Sequence, residues 1–182
     1  MQKRTVVLLI VVLSLISSCA EQSYPVSSTD MSEMPGSNRA FKQFVAGGVE
    51  KKLNAGNVRA SDVIRTARKY IGVPHCMGGT TSKCMDCSGL LVRAFATHGI
   101  NLPHNSEEQA RYGKILTDKA SLKKGDLVFF IRTYRTSNYI THSGIYLGDN
   151  QFLHASSSRG VTITSLDNSW WKDKFIFGTR IF

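Results

Sequence analysis

Asp86-Cys87-Ser88-Gly89-Leu90-Leu91-Val92-Arg93-Ala94-Phe95 puts a cysteine directly ahead of an apolar run with helical spacing. The pattern predicts a helix from Cys87 to about His98, closed by Gly99. A thiol in the first turn meets the positive end of the helix dipole, which favours thiolate. Asp86 has the chemistry of a helix cap and Ser88 that of a helix-start residue. A buried cysteine is also a common small core residue, so nucleophile and structural thiol both stand on these residues alone.

Working outward, the segments before and after this helix differ in period. Upstream, 39–53 has the content of a short helix weakened by Gly47-Gly48. Ser61-Asp62 caps a second helix, with Val63, Ile64, Ala67, Tyr70 and Ile71 at helical spacing, which Gly72 and Pro74 stop. Residues 74–86 form a glycine-containing loop, and Asn105 or Ser106 caps a short helix through Arg111. From Leu127 the runs become strand-like: 127–132, 142–147, 151–155, 161–164 and 177–181, with Gly148-Asp149-Asn150 as a hairpin turn. Helices first and strands afterwards indicate an α+β fold, N-terminal helices packed on an antiparallel sheet. Two histidines sit in these strands, His142 and His154. A cysteine with two histidines on neighbouring strands can supply nucleophile, general base and a group that orients the base.

Six segments occur in one order: Gly72-Val73-Pro74, Gly78-Gly79-Thr80, Asp86-Cys87-Ser88-Gly89, Gly125-Asp126-Leu127-Val128-Phe129-Phe130, His142-Ser143-Gly144-Ile145-Tyr146 and Phe152-Leu153-His154-Ala155-Ser156-Ser157. Together they resemble the NlpC/p60 family of cell-wall cysteine peptidases, most closely its single-domain lipoprotein endopeptidases of Gram-negative envelopes. The resemblance runs from about Ser61 to the C-terminus. It implies a papain-like fold with Cys87 as nucleophile, His142 as base and His154 as the residue that accepts a hydrogen bond from the His142 ring. It also implies that Asp86 and Ser88 contact substrate. The backbone N–H of Cys87 suits a developing oxyanion. Relatives add a tyrosine hydroxyl twelve residues before the cysteine; here that place holds His75, with Met77 at the following aromatic or leucine position.

The implied activity is a peptidoglycan endopeptidase that cuts an amide bond in stem peptides or their cross-links through a cysteine thioester. The bond is D-alanyl–diaminopimelate or γ-D-glutamyl–diaminopimelate. The alternatives are a catalytically impaired peptidoglycan-binding envelope protein, motivated by His75, and an acyltransferase on the same fold. No metal or organic cofactor is implied, and the cysteine spacings fit no standard zinc pattern. His98 reads as a helix-end residue, His104 as a groove position that is often basic in relatives, and Trp170 and Trp171 as core and rim aromatics.

The 182 residues suffice for one folded domain. Lys3 and Arg4 precede the apolar run Val6–Ile16, which is too short to span a bilayer and reads as the core of an export signal over 1–18. Ile16-Ser17-Ser18-Cys19 resembles a lipobox, so Cys19 is expected to carry lipid. The expected mature chain is a tether with a possible short helix over 19–58, then the catalytic domain over 59–182. It is expected as a monomer, anchored to the outer membrane and facing the periplasm. The formal charge of +10 falls to +8 when Lys3 and Arg4 leave with the signal. The basic residues form no stripe and no nucleic-acid motif occurs, which excludes nucleic acid as partner; a carboxylate-rich polymer such as peptidoglycan fits a basic surface. Cys76 and Cys84, eight positions apart, are either a disulfide or two buried thiols.

Overall fold

A computed structural model describes residues 39–182; Cys19 and the signal and tether readings for 1–38 lie outside the described residues. Among the described residues four α-helices come first: α1 (Arg39–Ala46), α2 (Ala60–Arg68), α3 (Cys87–Ala96) and α4 (Ser106–Gln109). Six strands follow: β1 (Lys114–Leu116), β2 (Leu127–Phe130), β3 (His142–Gly148), β4 (Gln151–Ser156), β5 (Gly160–Ser165) and β6 (Phe175–Arg180). All pairings are antiparallel, in the order β1-β6-β2-β3-β4-β5.

Local chemistry sets the helix ends. α1 stops where Gly47-Gly48 begins, Gly48 taking a left-handed φ of 81°. α2 starts one residue before Ser61: Arg59 is its cap position, and Asp62 accepts the Arg59 N–H at 3.3 Å from inside the first turn. The α4 cap is Asn105, whose Oδ1 accepts the N–H groups of Glu107 and Glu108 at 2.9 and 3.0 Å. Two short elements carried no readable period. β1 is three residues long and exists by pairing with β6, and a 3₁₀ turn at Lys119–Ser121 hangs on the Asp118 carboxylate. β6 begins at Phe175, two residues before the expected start, because its pairing with β2 continues past a register shift at Phe129/Phe130. β2 itself ends at Phe130, and Arg132 beyond it has a positive φ of 56°.

The sheet is buried on both faces. On one, Ile145, Leu147, Leu153 and Phe177 join Leu90, Leu91 and Phe95 of α3 in the main core. On the other, Val128, Phe130, Tyr146 and Phe152 form a second cluster, with Trp171 packed against it. Burying each such side chain stabilises by about 1.5–3 kcal/mol. α1 is part of the main core. Phe44 is fully buried, with its ring 6.0 Å from that of Phe177, and the Arg111 guanidinium donates to Phe44 O and, at 3.0 Å, to Gly48 O. The folded unit therefore extends at least from Arg39 and not from 59. The possible short helix expected within 39–53 is present as α1, and buried Phe41 and Phe44 hold it to the domain.

Candidate active site

Asp86 caps α3 and organises everything around it. Its Oδ1 accepts the Gly89 N–H at 2.7 Å, the Ser88 hydroxyl at 2.9 Å and stands 3.1 Å from His104 Nε2. Its Oδ2 accepts the Gly78 N–H at 2.8 Å. Burial raises the pKa of this carboxyl, but the hydrogen bonds from Gly89, His104, Ser88 and Gly78 outweigh it and hold the value below the ordinary one. The cap fixes Cys87 as the first residue of α3. Asp86 and Ser88 line the cavity, with their polar side-chain atoms engaged with the protein.

The loop that supplies Gly78 is tied by a disulfide between Cys76 and Cys84, which resolves the open pairing and leaves Cys87 as the free cysteine among the described residues. Closing so short a loop stabilises by about 2–3 kcal/mol in the chain-entropy account. The loop lies against the helix itself: Asp86 N–H donates to Gly79 O at 3.0 Å, and a Cβ on Gly89 would stand 2.0 Å from that same oxygen. Glycine at 89 is thus what lets the loop reach the helix start.

β3 and β4 bring the histidines together. His142 Nε2 is 2.9 Å from His154 Nδ1, and His154 Nε2 is 3.0 Å from Thr164 Oγ1 on β5. Gly144, which neighbours His142 along β3, makes this approach possible. A Cβ there would meet Leu153 O at 2.8 Å, the Phe152 ring at 2.9 Å and His154 Cβ at 3.2 Å. Aromatic rings enclose the pair: Trp171 lies 4.7 Å from each imidazole, and Phe152 stacks on His154 at 4.4 Å. Trp170, by contrast, is 55% exposed on the rim, with Lys174 Nζ 3.7 Å from its ring centre.

Cys87 and His142 line one cavity of about 580 Å³, together with His75, His104 and Tyr134. His75 is half-buried there, in the position that the sequence comparison assigned to an oxyanion donor. His98 is elsewhere, its Nε2 2.9 Å from Thr66 Oγ1. The Cys87 sulfur contacts Ser106 Oγ at 3.4 Å. Burial pushes the thiol up from its ordinary value; the Ser143 N–H opposes this and the Asp86 charge reinforces it. Burial draws His142 down to about 3, with Asp86 pulling the other way. Burial, then the neighbouring His142 and Arg159, take His154 well below the ordinary imidazole value. Burial thus favours the neutral thiol and neutral imidazoles, against the pull of the helix dipole towards thiolate. No group of three or more His, Cys, Asp or Glu placed to hold a metal occurs among the described residues.

The profile of the NlpC/P60 family matches residues 72–180. The chain belongs to the NlpC/P60 family. It is 43% identical over 114 residues to the "Probable endopeptidase NlpC homolog" of Haemophilus influenzae, covering 62% of this chain and 58% of that relative. It is 32% identical over 173 residues to the "Murein DD-endopeptidase MepS/Murein LD-carboxypeptidase" of Escherichia coli K12, covering 94% of this chain and 89% of that one. The fold superposes on the crystal structure of an NlpC/P60 family protein from Bacillus cereus with a TM-score of 0.62 and 30% identity, over 70% of this chain and 42% of that one. The papain-like α+β expectation holds against this family fold.

Sequence reasoning missed the polar residues behind the sulfur (Ser106, Ser143 and Gln109), as well as Thr164, Tyr134 and the placement of Trp171. Ser106 left a signal as a candidate cap, Gln109 as part of the short helix expected through Arg111, and Ser143 as part of the His142-Ser143-Gly144 segment.

The depressed imidazoles predict acid lability. A histidine whose folded pKa lies below its unfolded value adds stability above the unfolded pKa, near 6.5, and loses it as pH falls towards the folded value, about 3 for His142. Unfolding free energy should fall below pH ~6.5 by up to ~1.4 kcal/mol per pH unit for each histidine. Denaturant melts between pH 4 and 7.5, the range about that window, should show a shallower slope in His142→Gln/His154→Gln; equal slopes would contradict the assignment.

Proposed function

We propose that this protein is a peptidoglycan endopeptidase that cleaves an amide bond of cross-linked stem peptides through a thioester on Cys87. The observation that supports this most is the free thiol of Cys87 in one cavity with the buried His142–His154 pair. In the productive tautomer, His142 Nε2–H donates to His154 Nδ1, and His154 Nε2–H donates to Thr164 Oγ1. His142 Nδ1 is then the basic nitrogen. It takes the Cys87 proton as sulfur attacks the scissile carbonyl, and returns it to the leaving amine as the C–N bond breaks. Water then adds to the thioester carbonyl, again giving a proton to His142, and the carboxylic acid leaves as the thiol re-forms. The N–H of Cys87 at the helix start faces the developing oxyanion, with His75 as a second donor.

A neutral site suits this sequence of steps. His142 must be unprotonated to act as base, and its burial secures that down to low pH. Separation into thiolate and imidazolium then occurs when substrate displaces water and the two charges form as a pair.

Among the two candidate bonds, the D-alanyl–diaminopimelate cross-link is favoured. The relative named a murein DD-endopeptidase matches along nearly the whole chain, whereas the "Gamma-DL-glutamyl hydrolase" of Bacillus subtilis is matched over 27% of its length. The same reading takes the chain as a lipoprotein, acylated at Cys19 and held at the envelope facing the periplasm, with the basic domain meeting an acidic polymer.

Two outcomes check this. Cys87→Ala should fold with an unchanged melt and lose muropeptide cleavage by about a thousandfold or more, while mass assignment of wild-type products shows cross-linked dimers split at the D-alanyl bond. Cleavage at the wild-type rate by the alanine variant, or products cut only at the γ-D-glutamyl bond, would contradict the respective claim. Wild-type protein should fractionate with membranes and Cys19→Ala should not; equal solubility of the two defeats the anchor.

A further inference from the structure

Behind Cys87 runs a chain of hydroxyls and one amide whose direction can be worked out. Gln109 Nε2 donates to two carbonyls, Ser88 O and Pro103 O, both at 2.9 Å. Turning the amide round would set its oxygen against both carbonyls, so its orientation is fixed. Gln109 Oε1 therefore faces Ser143 Oγ at 3.1 Å and accepts the Ser143 hydroxyl hydrogen. A serine has one such hydrogen, so the Ser143 oxygen can only accept from Ser106 Oγ, 3.0 Å away. The Ser106 hydrogen is then committed to Ser143. What remains for the contact between Ser106 Oγ and Cys87 Sγ at 3.4 Å is donation by the thiol. Gln109 and Ser143 are 0% exposed and Ser106 is 8% exposed, so bulk water does not re-sort these bonds.

We propose that Ser106 is a positioning residue for the chemistry of Cys87: aligned by Ser143 and Gln109, its oxygen takes the Cys87 S–H and holds the resting sulfur as a thiol until the proton leaves for His142. This rests on the reading of Cys87 as nucleophile. On ionisation the S–H bond breaks and the proton moves to His142 Nδ1. Ser106 then either keeps its bond to Ser143 and gives the sulfur no hydrogen, or turns to the sulfur. The turn leaves the Ser106 and Ser143 oxygens facing each other with no hydrogen between them. Both outcomes disfavour free thiolate, so the thiol gives up its proton mainly when the base and substrate are in place. An exported nucleophile held this way is protected from idle reaction.

Charged and titratable groups also face the sulfur. Asp86 adjoins it with His104 bound behind, His142 faces it from β3 backed by His154, and Tyr134 approaches from the β2–β3 loop with Glu107 nearby. Ser106 and Ser143 carry no charge, so their alanine variants alter hydrogen bonding at the sulfur and leave this field in place.

The test is the rate of iodoacetamide alkylation at Cys87 against pH, read by peptide mass on the full chain with the disulfide intact. Wild type, Ser143→Ala, Ser106→Ala and the double variant are compared, each with its thermal melt. Ser143→Ala frees the Ser106 hydrogen to donate to sulfur. The alkylation midpoint should fall by about one pH unit, or about tenfold faster reaction at a fixed pH below it. Ser106→Ala removes the thiol's acceptor and should lower the midpoint by less, and the double variant should match Ser106→Ala. A raised midpoint in Ser106→Ala, an unshifted one in Ser143→Ala, or a double variant that keeps the full Ser143→Ala shift overturns the proposal. Should Ser143→Ala not fold, the direction of the Ser106→Ala shift decides alone: a fall supports and a rise or no change overturns. Muropeptide cleavage surviving in Cys87→Ala would instead sink the nucleophile reading, whatever these profiles show.

Discussion

A single buried carboxylate, Asp86, is the constraint on which the rest of the site depends. It caps α3 through Gly89, pins the Gly78 backbone and engages Ser88 and His104. Remove it and three separate things lose their common reference: the start of the helix, the loop ahead of it and the approach to α4. A cap alone contributes about 1 kcal/mol. Here the bonded donors come from different segments, so losing the carboxylate also leaves buried polar groups unpaired, which costs about 1–3 kcal/mol more. The helix that carries Cys87 is thus placed by polar satisfaction more than by apolar packing at its N-terminal end.

The same logic extends across the sheet. The disulfide loop sits on α3 because Gly89 lacks a side chain, and the two histidines meet because Gly144 lacks one. These close approaches bury the imidazoles, and Trp171 packs against both. Burial is what lowers the imidazoles and raises the thiol. It thus favours the neutral forms of Cys87, His142 and His154, while the hydrogen bonds to Asp86 favour its charged form. The cost of that arrangement is sensitivity to acid, since unfolding lets both histidines take up protons.

The sequence carried the chemistry in its short motifs and the fold class in its change of period. Asp86-Cys87-Ser88-Gly89 before an apolar helix, and histidines on successive strands, were legible because capping, helical spacing and strand alternation are local. β1 was not legible, because three residues carry no period and the strand exists by pairing with β6. The membership of α1 in the core was not legible either: Gly47-Gly48 weakened its helix signal, while Phe44 and Arg111 are 67 residues apart and meet only in the folded chain. The polar chain Ser106–Ser143–Gln109 joins α4 to β3, and no spacing rule links those segments.

The central claim is that Cys87 forms an acyl bond to the stem peptide with His142 moving the proton. It is tested most directly by acid-quenching the reaction with a defined cross-linked muropeptide and locating the covalent adduct by peptide mass. The account predicts a thioester on Cys87 carrying the donor acyl fragment, absent from His142→Ala. An adduct on any other residue would contradict it.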